Sequence, residues 1–296
     1  MSNFLGIDEN GYGPVMGPLI VTGICANKDI KKDWTIEIRD SKRLFLRDAQ
    51  SYRKIEEISL AQFFLLFGRF PESPKEFIEK LSFGECPNKF KNICIENIPH
   101  VFSWAPKSDV TGYIDFFDGF LKKNSIKING IKSAILCPFE FNILCDGGIK
   151  KDLIDFLQFE KIIKHFSDKD PEISISAGKI GGRNKYLEFV SGTFPSLENK
   201  AIRENPEESS YVFRNKNKNI NISFLKDIEK KSFLACLSGI IGKYIRELIM
   251  TGINISLGNK EFVSGYREKK TKEFLKRFFA RQNYKDININ CIIRKK

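Results

Sequence analysis

The first residues of the chain combine a short apolar run, two adjacent carboxylates and a glycine-rich turn. Phe4–Ile7 leads directly into Asp8 and Glu9, and a loop with glycines on both sides of an aromatic residue follows. An apolar run of this length, bounded by Gly and Pro, predicts a buried β-strand. Neighbouring strand residues point to opposite faces. Asp8 and Glu9 therefore share one site only if the chain leaves strand geometry at Asn10-Gly11.

Adjacent carboxylates without a basic neighbour repel each other unless a cation offsets the repulsion. One interpretation of Asp8 and Glu9 is a solvated acidic turn. The flanking glycines and the apolar stretch that follows favour a divalent-metal site instead. The chain has two histidines, and its seven cysteines include no Cys-x-x-Cys pair. Any metal should therefore be a hard cation held by carboxylates, which means Mg²⁺ or Mn²⁺.

The amino-acid composition indicates which binding partners and which cellular compartment are expected. The odd number of scattered cysteines favours reduced thiols and a cytoplasmic protein. The apolar runs are too short to span a bilayer, so no membrane association is expected. The net charge of +12 arises from 49 Lys and Arg against 37 Asp and Glu. A basic excess favours a polyanionic partner, most often nucleic acid, although Lys-rich composition can also reflect genome base content.

The hydrophobic pattern predicts an α/β chain. We expect an opening three-strand meander over 3–7, 18–25 and 34–38, a helix over 43–58 and a strand at 60–67. Residues 134–146 are predicted to be extended and to end at Asp146. The clearest helix is predicted at 227–250, where small residues along the helix indicate close packing on a sheet.

Three motifs in this order resemble the type 2 ribonucleases H, the ribonuclease HII and HIII group. The first is the apolar strand ending in Asp8-Glu9, followed by the Gly11-Tyr12-Gly13 loop, where the family has Gly-Arg-Gly. The second is Asp40-Ser41-Lys42-Arg43-Leu44. The third is the helix with Ser238-Gly239 and Glu247, which resembles the family helix that carries the last metal-ligating carboxylate.

The resemblance implies a ribonuclease H-like mixed sheet flanked by helices. We expect one domain over 1–296, with an insertion at roughly 150–220 and a helical and strand extension from about 255. It also implies a divalent-metal-dependent endonuclease that hydrolyses the RNA strand of RNA–DNA hybrids. We expect the protein to be a monomer. Asp8, Glu9, Asp146 and Glu247 would be the catalytic metal ligands, and Asp8, Glu9 and Glu247 should converge.

The position of the fourth ligand leaves two alternatives. The family supplies it as an Asp at the end of a central strand, a description that fits Asp146 before Gly147-Gly148. The competing strand, 173–179, is followed more compactly by the expected elements but carries no acid. If that strand is the equivalent one, the chain has lost a ligand.

Further residues are candidates for nucleic-acid contact. Glycines in the loop would let the backbone approach a sugar-phosphate, and Tyr12 could hydrogen-bond or stack, as an alternative to packing in the core. The full set of nucleic-acid-binding candidates is Gly11, Tyr12, Gly13, Ser41, Lys42, Arg183, Lys243 and Tyr266. Two other functions stay open: a nucleic-acid-binding protein of this fold with impaired cleavage, and a structure-specific DNA nuclease.

Overall fold

The computed structural model describes residues 2–28, 49–83, 98–100, 102, 107–259, 261–280 and 288–295. In that part of the chain, no helix combines the length and the apolar character needed to cross a bilayer.

A mixed seven-stranded sheet forms the centre of the structure, in the order β3-β2-β1-β4-β7-β6-β5. The strands are β1 (Ser2–Asn10), β2 (Leu19–Lys28), β3 (Ile126–Leu136), β4 (Glu172–Gly178), β5 (Glu198–Glu204), β6 (Glu208–Arg214) and β7 (Asn219–Leu225). The first three strands pair antiparallel to one another, whereas β4 lies parallel to β1 and β7 lies parallel to β4. Residues 29–125 separate β2 from β3 in sequence, and the third strand predicted for the opening meander, 34–38, lies outside the described residues. An antiparallel β7-β6-β5 ribbon extends the sheet.

Helices cover both faces of this sheet. They are α1 (Ala49–Phe67), α2 (Pro74–Leu81), α3 (Lys107–Lys123), α4 (Pro138–Asp146), α5 (Lys151–Ser167), α6 (Leu187–Thr193), α7 (Phe233–Ser256) and α8 (Lys269–Ala280). One apolar core joins the sheet to α7, α1, α2 and α3, and a second core joins it to α5 and α6. The arrangement confirms the predicted ribonuclease H-like mixed sheet flanked by helices.

Several helices and strands differ from those predicted from the local sequence pattern. Residues 60–67, predicted as a strand, continue α1, because apolar residues there face the core at helical spacing. The range 134–146, predicted to be extended, contains the end of β3 and then α4, which begins at Pro138. The range predicted as an insertion includes β4, which pairs directly with β1. The single-domain division stays a prediction.

Alternation along β1 assigns its side chains to the two cores. Phe4 packs with the core on the α7 side, whereas Leu5 and Ile7 belong to the core on the α5 side. Pairing with β2 continues through Asn10, which lies opposite Ile20. The strand is therefore still regular at Asp8 and Glu9, and these residues point to opposite faces of the sheet.

Helix α7 lies unusually close to β1. Its N-cap is Ser232, whose hydroxyl accepts a hydrogen bond from the N–H of Ala235 at 3.2 Å. Ser238 Oγ donates to the carbonyl oxygen of Gly6 at 2.9 Å. A Cβ atom at Gly6 would overlap the helix backbone at Leu234 and Ala235, so only glycine allows this approach.

We expect Gly6→Ala to destabilise the protein by about 1–3 kcal/mol or more, because the added methyl group has to push α7 away from the sheet. Gly119→Ala is the matched control, since Gly119 lies on the exposed side of α3 with open space around it. The control should be neutral or stabilising by roughly 0.5–1 kcal/mol. Chemical denaturation measures both; equal effects would contradict the close-packing argument.

Candidate active site

A cavity of about 510 Å³ opens where β1, β4 and β7 end. Its lining combines carboxylates, lysines and glycines: Asp8, Gly178, Lys179, Gly182, Asn184, Pro206, Leu225, Lys226, Asp227, Ile228 and Glu229. Since β1, β4 and β7 are parallel, their carboxyl ends meet at one edge of the sheet, which explains why residues far apart in sequence share this cavity.

Asp8 lies in space left by two glycines. A Cβ atom at Gly178 would lie 3.0 Å from Asp8 Oδ1, and a Cβ atom at Gly239 on α7 would overlap Oδ2. Burial raises the pKa of Asp8 well above its usual value, and the negative charges of Glu9 and Glu229 raise it further. Asp8 is thus a buried carboxyl group that needs a positive partner to be stable in its charged form.

Glu9 projects to the α5 side. Burial raises its pKa to about 7, although Arg294 and Lys151 favour the charged form and the N–H of Tyr12 donates a hydrogen bond to the carboxylate. Asp155 of α5, which the sequence analysis missed, interacts electrostatically with Glu9 and is fully buried. Both of its carboxylate oxygens lack a hydrogen-bond partner among the described residues. An acid on the apolar stripe of a helix was the signal that could have identified Asp155.

Asp146 lies away from the cavity. It ends α4, and both of its carboxylate oxygens accept hydrogen bonds from Lys295 Nζ, at 2.7 and 2.6 Å. The strand beside β1 is instead β4, and its residue facing Asp8 is Gly178. The prediction that Asp146 supplies the fourth ligand therefore does not match the structure, and the position facing Asp8 carries no acid.

Glu247 is also separated from Asp8. On α7 the residue that faces Asp8 is Gly239, and eight residues of helix place Glu247 about 12 Å further along the axis. Its nearest cation is Arg246, at 3.8 Å between Nη1 and Oε1. Burial raises the pKa of Glu247, while Arg246 and Lys243 lower it. The expected convergence of Asp8, Glu9 and Glu247 is not seen.

Two carboxylates that the sequence analysis did not select do line the cavity. Asp227 and Glu229 lie in the turn between β7 and α7, where Asp227 has left-handed backbone angles of φ 51° and ψ 47°. The signal was an acidic turn directly after an apolar strand and before the closing helix. The helix predicted to start at Asp227 starts instead at Phe233, which frees this turn to border the cavity.

The carboxylate oxygens at the cavity are suitable donors for a hard cation, but they are too few to complete its coordination shell. Asp8 and Glu229 are oxygen donors, and the negative charge of Glu229 adds to the raised pKa of Asp8. Over the described ranges, however, no group of three or more His, Cys, Asp and Glu side chains is arranged to hold a metal ion. A cation in this cavity would therefore have to take most of its ligands from water or substrate.

Lys179 supplies a fixed positive charge at the wall of the cavity. Its Nζ donates to Asn184 Oδ1 at 2.9 Å, to Ser209 Oγ at 3.1 Å and to the carbonyl oxygen of Asn205. All three acceptors are uncharged, so they hold the ammonium group in place without neutralising it. Burial lowers the pKa of Lys179.

The other predicted contact residues have varied surroundings. Lys151 Nζ lies 4.3 Å from the centre of the Tyr12 ring, and a Cβ atom at Gly181 would lie 2.6 Å from the Tyr12 hydroxyl. Arg183 forms an ion pair with Asp152. Gly11 has a positive φ of 91°, whereas a Cβ atom at Gly13 would meet open space.

Of the remaining predicted contact residues, Lys243 lies on α7 and Tyr266 contacts a residue of α7. Lys243 Nζ lies 5.5 Å from the ring centre of Tyr52. The half-exposed Tyr266 ring lies over the Arg246 guanidinium at 4.9 Å. Ser41 and Lys42 lie outside the described residues. The nucleic-acid roles of all these residues stay predictions.

Sequence comparison gives short but clear matches. The chain is 52% identical over 42 residues to the ribonuclease HII of Hyperthermus butylicus, a match covering 14% of this chain and 17% of that protein. It is 43% identical over 61 residues to the ribonuclease HII of Methanocella arvoryzae, covering 20% and 25%.

The chain is similar to ribonuclease HII.

This similarity confirms the predicted resemblance to type 2 ribonucleases H, as a divergent relative. The matches span a quarter or less of the length of the curated relatives. No family model matches the chain.

Solved structures of the same group are also similar. The ribonuclease HII of Archaeoglobus fulgidus, from its complex with PCNA, superposes with a TM-score of 0.48 at 15% identity, covering 100% of this chain and 98% of that one. A Bst ribonuclease HIII in complex with Mn²⁺ gives a TM-score of 0.48 at 10% identity, covering 99% and 66%.

The raised pKa of Glu9 predicts a specific pH dependence. Between about pH 4.5 and pH 7 the folded protein holds a proton that the unfolded chain has released, so the free energy of unfolding should fall as pH rises through this window. Glu9→Gln should remove this pH dependence. The free energy of unfolding of the variant minus that of wild type should therefore increase by on the order of 2 kcal/mol between pH 5 and pH 7.5. Urea denaturation at both pH values measures the change; a difference independent of pH would contradict it.

Proposed function

We propose that the protein is a divalent-metal-dependent endonuclease that hydrolyses the RNA strand of RNA–DNA hybrids. The observation that carries the proposal is the buried carboxyl group of Asp8 at a cavity that also contains Glu229, Asp227 and three lysine or amide side chains. The sequence similarity to ribonucleases HII supports the same class of reaction and substrate.

Asp8 would hold the cation together with a carboxylate of the turn 227–229. Leaving Asp8 charged and buried without a cation costs several kcal/mol by the general behaviour of buried ions, so this position favours a positively charged partner. Mg²⁺ and Mn²⁺ are the ions that prefer carboxylate oxygens and retain water ligands. When bound, such a cation activates water and stabilises the leaving oxygen of a phosphodiester.

The other cavity residues would act on the substrate. The fixed ammonium of Lys179 favours a phosphate at the cavity wall, because its three partners leave its charge uncompensated. Lys226 also lines the cavity, but its charge is paired with Glu207 at 2.8 Å. The exposed Gly13 lets a nucleic-acid backbone approach the loop after β1. The net charge of +12 supports binding of a polyanion. We propose that the protein acts as a cytoplasmic monomer.

A second candidate is a nucleic-acid-binding protein of the same fold with impaired cleavage. Gly178 specifically favours it, since the residue facing Asp8 from β4 has no carboxylate. Hydrolysis with two metal ions requires several converging carboxylates, and the described residues do not form a group of three.

A cleavage assay separates the two candidates. The substrates are an RNA–DNA hybrid, a DNA duplex with one embedded ribonucleotide, and plain DNA duplex, each with Mg²⁺ or Mn²⁺. We expect wild type to cut the hybrid. Asp8→Asn should reduce cleavage at least 100-fold, the scale expected for losing the main charge stabilisation at a reacting centre, while hybrid binding persists. Binding without cutting by wild type, with either metal, would decide for the second candidate.

Restoring an acid at position 178 gives a separate prediction. Gly178→Asp adds a negative charge beside Asp8, so the metal-free protein should become less stable while its affinity for Mn²⁺ rises. Gly178→Asn is the matched control, because it adds similar volume without charge. Calorimetric titration with Mn²⁺ measures the affinities; equal Mn²⁺ binding by the two variants would contradict a cation site between Asp8 and β4.

A further inference from the structure

The loop from Gly11 to Pro18, here called the acidic-strand loop, follows directly after Asp8 and Glu9. Three of its carbonyl oxygens accept hydrogen bonds from one side chain. Arg294 Nη1 donates to Gly11 at 2.6 Å, Nε donates to Gly17 at 2.7 Å, and Nη2 donates to Pro18 at 2.9 Å. Each nitrogen of the guanidinium therefore holds a different point of the loop.

The backbone around Arg294 reinforces this contact. The N–H of Arg294 donates to the carbonyl oxygen of Val15 at 2.9 Å, and the N–H of Gly17 donates to the carbonyl oxygen of Ile292 at 2.9 Å. Met16 and Ile293 form an antiparallel bridge. Residues 289–295 thus combine one turn of 3-10 helix, Ile289–Cys291, with a short bridge to the loop, and we call them the strap.

The strap is itself fastened to α4. Asn142 Nδ2 donates to the carbonyl oxygen of Ile293 at 2.8 Å, and the N–H of Lys295 donates to Asn142 Oδ1 at 2.7 Å. Lys295 Nζ pairs with Asp146 at 2.6 Å. The Arg294 guanidinium also lies 5.3 Å from the centre of the Phe141 ring. Asp146, expected at the metal site, therefore anchors the strap.

Burying the charged side chain of Arg294 costs free energy, so we expect the residue to have a role that offsets this cost. Only 4% of the residue is exposed, and its charge is held by carbonyl oxygens and lies near Glu9 and Asp155 without a direct ion pair among the described residues. A buried guanidinium held by carbonyl groups is a costly way to fill space, because an apolar side chain of similar volume avoids the desolvation. What it provides instead is a fixed three-point geometry for the loop.

We propose that the strap positions the acidic-strand loop for catalysis, with Arg294 as its positioning residue. The proposal rests on the proposed function, since the loop joins Asp8 and Glu9 to the rest of the chain. Arg294 does not line the cavity. Its charge lies near Glu9, and its hydrogen bonds act on the site through the loop. Small displacements of a reacting geometry can cost about 100-fold in rate while binding contacts elsewhere are kept.

The test compares Arg294→Met with wild type by amide hydrogen exchange, hybrid binding and cleavage. Exchange at 11–18 should accelerate on the order of tenfold or more, as expected when charged hydrogen bonds are lost, while exchange in β1 and β2 stays unchanged. Cleavage at saturating hybrid should fall about 100-fold, with the hybrid dissociation constant changed less than about threefold. Arg277→Met is the matched control, since Arg277 is exposed on α8.

Two further variants keep the test decisive if Arg294→Met folds poorly. Arg294→Lys retains the charge but cannot reach three carbonyl groups, so the same loop should loosen partially. Asn142→Ala removes two of the hydrogen bonds that fasten the strap to α4 without touching the loop, and it should partly accelerate exchange at the same residues. Unchanged exchange at 11–18, or uniform acceleration across the sheet, would overturn the proposal. Absence of cleavage in wild type would instead contradict the proposed function, and the exchange data would still decide the role of the strap.

Discussion

The close approach of α7 to β1 is the constraint on which the rest of the molecule depends. It exists because Gly6 has no side chain and because Ser238 Oγ bonds to the Gly6 carbonyl oxygen. The same approach brings Gly239 against Asp8 and removes that carboxyl group from water. The electrostatics of the cavity therefore follow from backbone packing, and the raised pKa of Asp8 is a consequence of the fold.

Because β1 is still a regular strand at Asp8 and Glu9, these two residues lie on opposite faces of the sheet. Asp8 faces α7 and the cavity with the turn 227–229, whereas Glu9 faces α5, where Asp155 and Arg294 lie. Had the chain left strand geometry one residue earlier, both carboxylates could have converged. The cavity instead combines the buried carboxyl group of Asp8 with the carboxylates of the turn 227–229 and the firmly held ammonium group of Lys179.

The sequence predicted the elements whose pattern is local. The strand before Asp8, the parallel strand at 173 and the long closing helix all carry their own periodicity. Asp146 was misassigned because an Asp before Gly-Gly ends a helix as readily as a strand. Glu247 was misassigned because the residue of α7 that lies opposite Asp8 depends on where the helix lies along the sheet. Packing between the helix and the sheet determines this position, and the sequence pattern does not show it. Asp155, Glu229 and Arg294 became visible only through contacts between distant segments.

The Arg294 contact also constrains when the site can form. Its hydrogen bond to Gly11 joins residues 283 positions apart. At about 5–20 residues per second, the ribosome adds that much chain in roughly 15–60 seconds. During this interval β1 has emerged, yet the loop beside Asp8 lacks the side chain that holds it. A nascent chain therefore carries its acidic strand long before it carries a finished site, and only a chain synthesised through residue 294 can adopt the geometry described here.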